Sequence, residues 1–274
     1  MPKVEKLKKE LKTVAELGDM TRVLEETAAR DISLMRERII NNRPYFQEAW
    51  RIYRVMQQLA PPAPQLLNKH LVIGVTLEWG MTGSLLQHVL NKTEELYERY
   101  EGDLLLTGKM GRDRFLNRNE RTVHLFNVPK KASYADIEEL YKVASKYSQI
   151  HFVYPRFESL SKQTVTVASI SMKKDKKAQE SSIDAQRFVV EPNIKALSEY
   201  MNEVVVGMVV YSYFSEALLA YSAAQMVAMR AAYDNSKEEH KRINVKYNKA
   251  RREVIDSKLR ELYESRFAIK EEDA

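Results

Sequence analysis

The sequence predicts an α/β domain held between two long terminal helices. Three observations lead there. Helix breakers are scarce, with eight glycines and eight prolines in 274 residues, beside abundant Lys, Glu, Ala and Leu. Apolar residues recur at steps of three and four over both ends of the chain. Between those ends, short apolar runs alternate with helically spaced segments, the β-α-β-α order of a largely parallel sheet.

The first zone, residues 1–59, places Leu7, Leu11, Val14 and Leu17, then Leu24, Ala28, Ile32, Met35 and Ile39, on one stripe close to a coiled-coil seam. Pro44 follows Arg43, so a kink or a short break is expected there. Ala60-Pro61-Pro62-Ala63-Pro64 ends the zone.

The middle zone, residues 69–192, is expected to hold the α/β domain. Strands are expected over Leu71–Leu77, Asp103–Thr107, Thr122–Val128, Ile150–Tyr154, Thr164–Ile170 and Arg187–Val190. Thr164–Val167 alternates, as a strand with one wet face does. A helix is expected over Ser84–Tyr100, with Leu85, Val89, Leu96 and Tyr100 on one side. Ser133 caps another, with Asp136 in its first turn. Met172–Ser182 is polar and reads as a loop.

The third zone, residues 193–274, has no proline after Pro192 and Gly207 as its only glycine. Met226, Met229 and Tyr233, then Ile243, Tyr247, Ala250 and Val254, then Ile255, Leu259 and Leu262 keep steps of three and four. A helix over Val205–Phe267 would be roughly 95 Å long and one over the first zone roughly 85 Å, at the usual rise per residue. No small domain has a core that deep, so the two helices must pair with each other or with a partner. Several shorter helices in a bundle would show the same period.

Composition excludes several classes of function. Charged residues are 30% and hydrophobic ones 44%, which fits neither a disordered tail nor a membrane protein. The absence of cysteine excludes disulfides, thiol nucleophiles and thiolate metal sites. The N-terminal MPKVEKLKKELK is charged from its third residue, so no secretory signal is expected. Val204–Ser215 is apolar but well short of the about 20 residues that span a bilayer. His70, His88, His124, His151 and His240 are scattered, without metal-ligand spacing, and are expected at the surface or at strand ends. Gly80-Met81-Thr82-Gly83 and Gly108-Lys109-Met110-Gly111 follow strands where a phosphate loop could sit, yet a tight turn needs glycine anyway. Lys173, Lys174, Lys176 and Lys177 have no interleaved aromatics and read as a solvated loop rather than a nucleic-acid site. The net charge of +6 suggests an acidic partner. From Lys237 to Arg266 there are ten Lys or Arg against six Asp or Glu, a helix suited to acidic protein loops.

Several motifs stand out: Ser222–Asn235 (SAAQMVAMRAAYDN), Tyr247–Arg252 (YNKARR) with Ile255, Leu259 and Glu261 following, Thr21-Arg22 with Glu25 and Ala28-Ala29, Arg43-Pro44-Tyr45, and Glu191-Pro192. Together they resemble one family, the gamma subunit of the rotary F-type ATP synthase. They occur in order and at matching separations across both ends. The chain departs from the family pattern at Glu78–Ser84, which keeps two glycines but lacks Asp and Arg. It also departs at Glu26, where an apolar residue is usual, at Arg252 for Gln, at Asp256 for Thr, and in the tail Glu264–Phe267, which lacks Gly-Gly.

The resemblance implies an antiparallel coiled coil of the terminal helices plus a Rossmann-like α/β domain with a mainly parallel sheet. It implies a non-catalytic central-stalk rotor that transmits torque between a membrane ion-driven ring and a catalytic head, with no cofactor or metal of its own. Its partners would be the alpha and beta subunits, the epsilon subunit and the membrane ring subunits, without nucleic acid and without direct membrane insertion. Its place would be peripheral, on the cytoplasmic face of the cell membrane or the matrix side of an organelle's inner membrane. Arg251, Arg252, Asp256, Thr21 and Arg22 match positions that meet the alpha/beta head. A rotor dedicated to hydrolysis, a static coiled-coil scaffold and, last, an enzyme with an α/β active site are the competing readings.

Overall fold

The computed structural model describes residues 2–59, 67–78, 80–115, 123–126, 134–171 and 194–272. Among them the element order is α1 (Pro2–Leu59), β1 (Leu67–Gly74), α2 (Leu85–Tyr100), β2 (Asp103–Leu106), α3 (Arg112–Phe115), β3 (Val123–Leu125), α4 (Tyr134–Ala144), β4 (Tyr147–Phe157), β5 (Gln163–Ser171) and α5 (Ile194–Glu272). The terminal zones are thus single helices rather than a bundle of short ones. Of the kink or short break expected at Pro44, the break does not occur: α1 continues through it. Proline removes one backbone rung, and the flanking residues are held from outside: Ile39 and Ile40 pack on an apolar cluster, and Arg43 is hydrogen-bonded to Glu216 and to the Phe157 carbonyl. Ala60–Pro64, Ser133, Met172–Ser182, Arg187–Val190 and Glu191-Pro192 lie outside the described residues.

The chain divides into two compact units, Met1–Thr27 with Val227–Ala274, and Ala28–Met226. In the first unit the two helices run antiparallel. Lys3 Nζ lies 3.7 Å from Glu253, the Ser236 hydroxyl donates to the Val14 carbonyl at 3.1 Å, and Arg230 Nη1 lies 3.4 Å from Glu25. The seam buries Met229, Ile243 and Ala250 of α5, with Tyr247 and Val254 half-buried, against Leu7, Leu11, Val14 and Leu24 of α1. Leu17, expected on the seam, is 52% exposed. Gly18 takes that place, and a Cβ there would stand 3.3 Å from the Ser236 hydroxyl, so the helices approach closely at this point. Ala231 is also exposed, whereas Ala232 is half-buried.

The second unit is built on a five-stranded sheet of order β3-β2-β1-β4-β5. The pairs β1–β2, β1–β4 and β2–β3 are parallel, and β4–β5 is antiparallel. Leu71, Val72, Ile73, Leu104, Leu105, Leu106, Ile150, Phe152 and Val153 are fully buried in it. α2 covers it with Leu85, Leu86, Val89, Leu90, Leu96 and Tyr97. Val206, Val210, Phe214, Ala217 and Tyr221 of α5 enter the same core, as does Tyr53 of α1. Packing on the sheet therefore explains the apolar stretch Val204–Ser215. The strands differ in extent from expectation. β1 begins at Leu67 and ends at Gly74, and β4 runs eleven residues rather than five. The polar Ser148 and Gln149 before the expected run, and Pro155 and Arg156 after it, hide its length from the hydrophobic pattern; His151, within the run, is buried.

His151 is therefore a core residue, not a surface one. Its Nε2 lies 3.1 Å from His70 Nδ1, its Nδ1 lies 2.8 Å from the Ser169 hydroxyl, and its ring stacks on Tyr100 at 4.1 Å. Burial, and then the neighbouring His70, lower its pKa to about 4.

Two outcomes follow from this packing. Replacing Gly18 by Leu forces a side chain into the seam and destabilises the chain by about 1–3 kcal/mol, measured as the denaturant midpoint, and an unchanged midpoint contradicts the close approach. For His151 the folded pKa lies below the unfolded value, so the unfolded chain binds the extra proton. Stability is lost as pH falls from about 6.5 towards 4, by at most roughly 3 kcal/mol. His151→Gln flattens that part of the pH-stability curve, and an equally steep curve in the variant contradicts the assignment.

Candidate functional site

Two places in the chain could carry function: the carboxyl ends of the parallel strands and the surface of the helix pair. Ligands of open α/β sheets bind beyond the strand ends where the strand order reverses. Here that point lies between β1 and β4, and protein fills it. Tyr221 of α5 is fully buried there and donates its hydroxyl to the Val75 carbonyl at 2.7 Å. Burial alone raises the pKa of this phenol.

The two glycine-bearing turns beside it are bound to each other. The Thr76 amide donates to the Thr107 hydroxyl at 3.1 Å, the Thr107 hydroxyl donates to the Thr76 carbonyl at 3.0 Å, and the Thr76 hydroxyl donates to the Gly108 carbonyl at 3.1 Å. Glu78 accepts from the Lys109 amide at 3.1 Å, and its carboxylate lies 3.2 Å from Lys109 Nζ. A Cβ on Gly108 would stand 2.3 Å from the Leu77 carbonyl carbon, so glycine is required by the contact between the turns. Gly108 thus has a packing reason, and Gly83 and Gly111 have positive φ (60° and 88°), which favours glycine with or without a phosphate. Trp79 lies outside the described residues. Among the described residues no group of three His, Asp or Glu could hold a metal ion.

The helix pair offers a different kind of site. Arg251, Arg252 and Asp256 are exposed on α5. Glu253 between them is engaged by Lys3, near the start of α1. Beyond that point the apolar period of α5 continues on exposed residues: Ile255, Leu259, Leu262 and Tyr263 are 46–64% exposed. The seam expected to run through Leu262 therefore ends at Val254. Four large exposed apolar side chains and two exposed arginines share the stretch Arg251–Tyr263 of α5, a surface suited to a partner protein.

Thr21 and Arg22 lie on another part of the pair. The Thr21 hydroxyl donates to the Gly18 carbonyl within α1 at 2.8 Å. Arg22 is exposed and donates to Glu26 at 3.0 Å; that hydrogen bond, then the Glu26 charge, and more weakly Tyr233 of α5 raise its pKa. Because the helices are antiparallel, these two residues sit near Tyr233, about 27 Å along α5 from Arg251. The five expected residues thus form two groups rather than one. Leu17, Met20 and Val23, each more than half exposed, surround the Thr21–Arg22 group. The residues that the sequence reading missed here are these exposed apolar ones. The usable signal was the shortness of the α1 stripe, which offers nothing to pair with residues past Val254.

The comparisons with known proteins bear on this geometry as a whole. A family model described as ATP synthase matches residues 3–268. An ATP synthase gamma chain from Roseiflexus castenholzii is 24% identical over 297 aligned positions, covering 99% of this chain and all of that one. The fold is shared with a chain of the Euglena gracilis mitochondrial ATP synthase OSCP/F1/c-ring assembly, with TM-score 0.71, 15% identity, and 98% and 95% of the two chains covered. A chain of the rotor of the same synthase gives TM-score 0.67 at 15% identity, with 93% and 99% covered. With nearly its whole length matched and its terminal helices and parallel sheet laid out in the same way, the chain belongs to the ATP synthase gamma-chain family.

Proposed function

We propose that this chain is the central-stalk rotor subunit of a rotary ATP synthase, passing torque between a membrane ion-driven ring and a catalytic alpha/beta head, and catalysing nothing itself. The observation that carries this reading is the end of α5, where exposed Arg251 and Arg252 adjoin the exposed apolar residues Ile255, Leu259, Leu262 and Tyr263. A shaft turning in a protein collar suits an exposed apolar surface, whose contacts are non-directional, so that no single orientation is trapped. It also needs cations that acidic loops of the head can push against. In this reading Arg251, with Arg252 and Asp256, meets the beta loops, and Thr21 and Arg22 meet the head along the opposite helix.

Segments 1–59 and 193–274 serve as the shaft. Residues 69–192 serve as the foot that engages the epsilon subunit and the membrane ring. The complex is peripheral to the membrane, and the chain faces the cytoplasm, or the matrix in an organelle. The most apolar window of α5 is mostly buried inside the protein, which supports attachment through partners rather than insertion.

Affinity capture of the intact chain from its own cells, followed by mass spectrometry, is expected to recover alpha, beta and ring subunits, and recovery of none of them refutes the reading. In the assembled complex, Arg251→Glu lowers coupled ATP synthesis by roughly tenfold, the effect of losing one charge-assisted pair. The circular dichroism and melting temperature of the chain stay unchanged, because Arg251 is exposed. Wild-type synthesis in that variant removes Arg251 from the contact.

A further inference from the structure

A rotor is useful only if its helices cannot slip on the domain they drive, and the second unit contains one charged node at the place where slip would occur. Arg43 of α1, Arg156 of β4 and Glu216 of α5 converge there. Arg43 Nη2 donates to Glu216 Oε1 at 2.5 Å and to the Phe157 carbonyl at 2.8 Å, and Arg156 Nε lies 3.5 Å from the same Glu216 oxygen. The Glu216 side chain is only 11% exposed.

The contacts around the node are smooth. Ile32, Phe157, Leu219, Ala220 and Ala223 form an apolar cluster between α1, α5 and the end of β4. Apolar contact is non-directional, and alanines offer shallow ridges that resist rotation weakly. The node also sits beside a missing rung of α1, because Pro44 next to it leaves the Ile40 carbonyl without its amide donor. Directional, charge-assisted bonds at that point tie three elements together.

We propose that the Arg43–Glu216–Arg156 node is a torsional lock: positioning residues that fix the rotational register of α1 and α5 on the sheet so that torque passes without slip. This rests on the rotor reading above and deepens it. Two guanidiniums face one carboxylate, so neutralising Glu216 leaves two like charges together, and Arg43→Lys keeps the charge but replaces the planar, pre-organised guanidinium, whose Nη2 serves both acceptors, by a flexible ammonium.

The test uses the complete chain assembled with its own alpha and beta subunits. The chain has no cysteine, so Gln87→Cys on exposed α2 gives a unique point for attaching a bead. ATP-driven rotation of the bead is measured under rising load. Glu216→Gln and Arg43→Lys are each expected to lower the stall torque roughly twofold or more, with unloaded rotation and ATP hydrolysis near the parent values. Leu219→Ala, a cavity in the same junction, is expected to lower thermal stability while keeping the parent stall torque. If Glu216→Gln prevents assembly, Arg43→Lys decides. Parent stall torque in the node variants, or an equal loss in Leu219→Ala, overturns the lock. A parent complex that assembles but does not turn the bead overturns the rotor reading, and the lock with it.

Discussion

The structure depends on one constraint: two helices from opposite ends of the chain must keep their apolar stripes in contact. A helix of 58 residues and one of 79 gain little from propensity alone, and most of their stability must come from packing one face. In the first unit that face is narrow and interrupted. Gly18 lets the backbones approach where Ser236 bonds to the Val14 carbonyl, and the pairs Arg230–Glu25 and Lys3–Glu253 cross between the helices. Such surface pairs add little energy. They favour the antiparallel register of the seam over alternatives shifted by a turn.

The second unit uses α5 differently. There the helix carries Val206, Val210, Phe214 and Tyr221 into the sheet core, and the Tyr221 hydroxyl closes the crevice that many α/β proteins keep open for a ligand. An α/β domain whose switch point is filled by its own C-terminal helix has exchanged a small-molecule site for rigidity. Its polar features serve the same end. The Thr76–Thr107 exchange joins two turns, the Tyr147 hydroxyl bonds to buried Asp103, and the Tyr154 and Tyr213 rings stack at 4.9 Å between β4 and α5.

Much of this was legible in the sequence, and what was not has physical causes. The period of three and four located both long helices, and the alternation of the middle zone located the sheet. Period alone could not tell Leu17 from Gly18 as the seam residue, because a glycine has no side chain to register in a hydrophobic pattern. Nor could it show that Ile255, Leu259 and Leu262 face outward, since a stripe aimed at a partner helix and one aimed at another protein look alike. Pro44 signalled a break that tertiary contacts of Arg43, Ile39 and Ile40 overrode. β4 ran past its expected limits because Ser148, Gln149, Pro155 and Arg156 interrupt the apolar run, while buried Ser148 bonds within the fold to the Lys69 carbonyl. The antiparallel pairing of β5 showed only in the alternation of Thr164–Val167. The candidate site was half legible. Arg251, Arg252 and Asp256 stood out as charges next to an apolar stripe, whereas the Arg43–Glu216 contact joins residues 173 positions apart and follows no local spacing.

The central claim is that the paired helices move as one body against the head. The most direct measurement is a reversible disulfide between them, from Gly18→Cys with Ser236→Cys, whose Cβ positions stand 3.7 Å apart, in a chain that has no other cysteine, formed by mild oxidation in the assembled complex. If the helices turn together, ATP-driven ion pumping is the same oxidised and reduced. Pumping that stops on oxidation and returns on reduction would mean the helices must move past each other, and the account would be wrong.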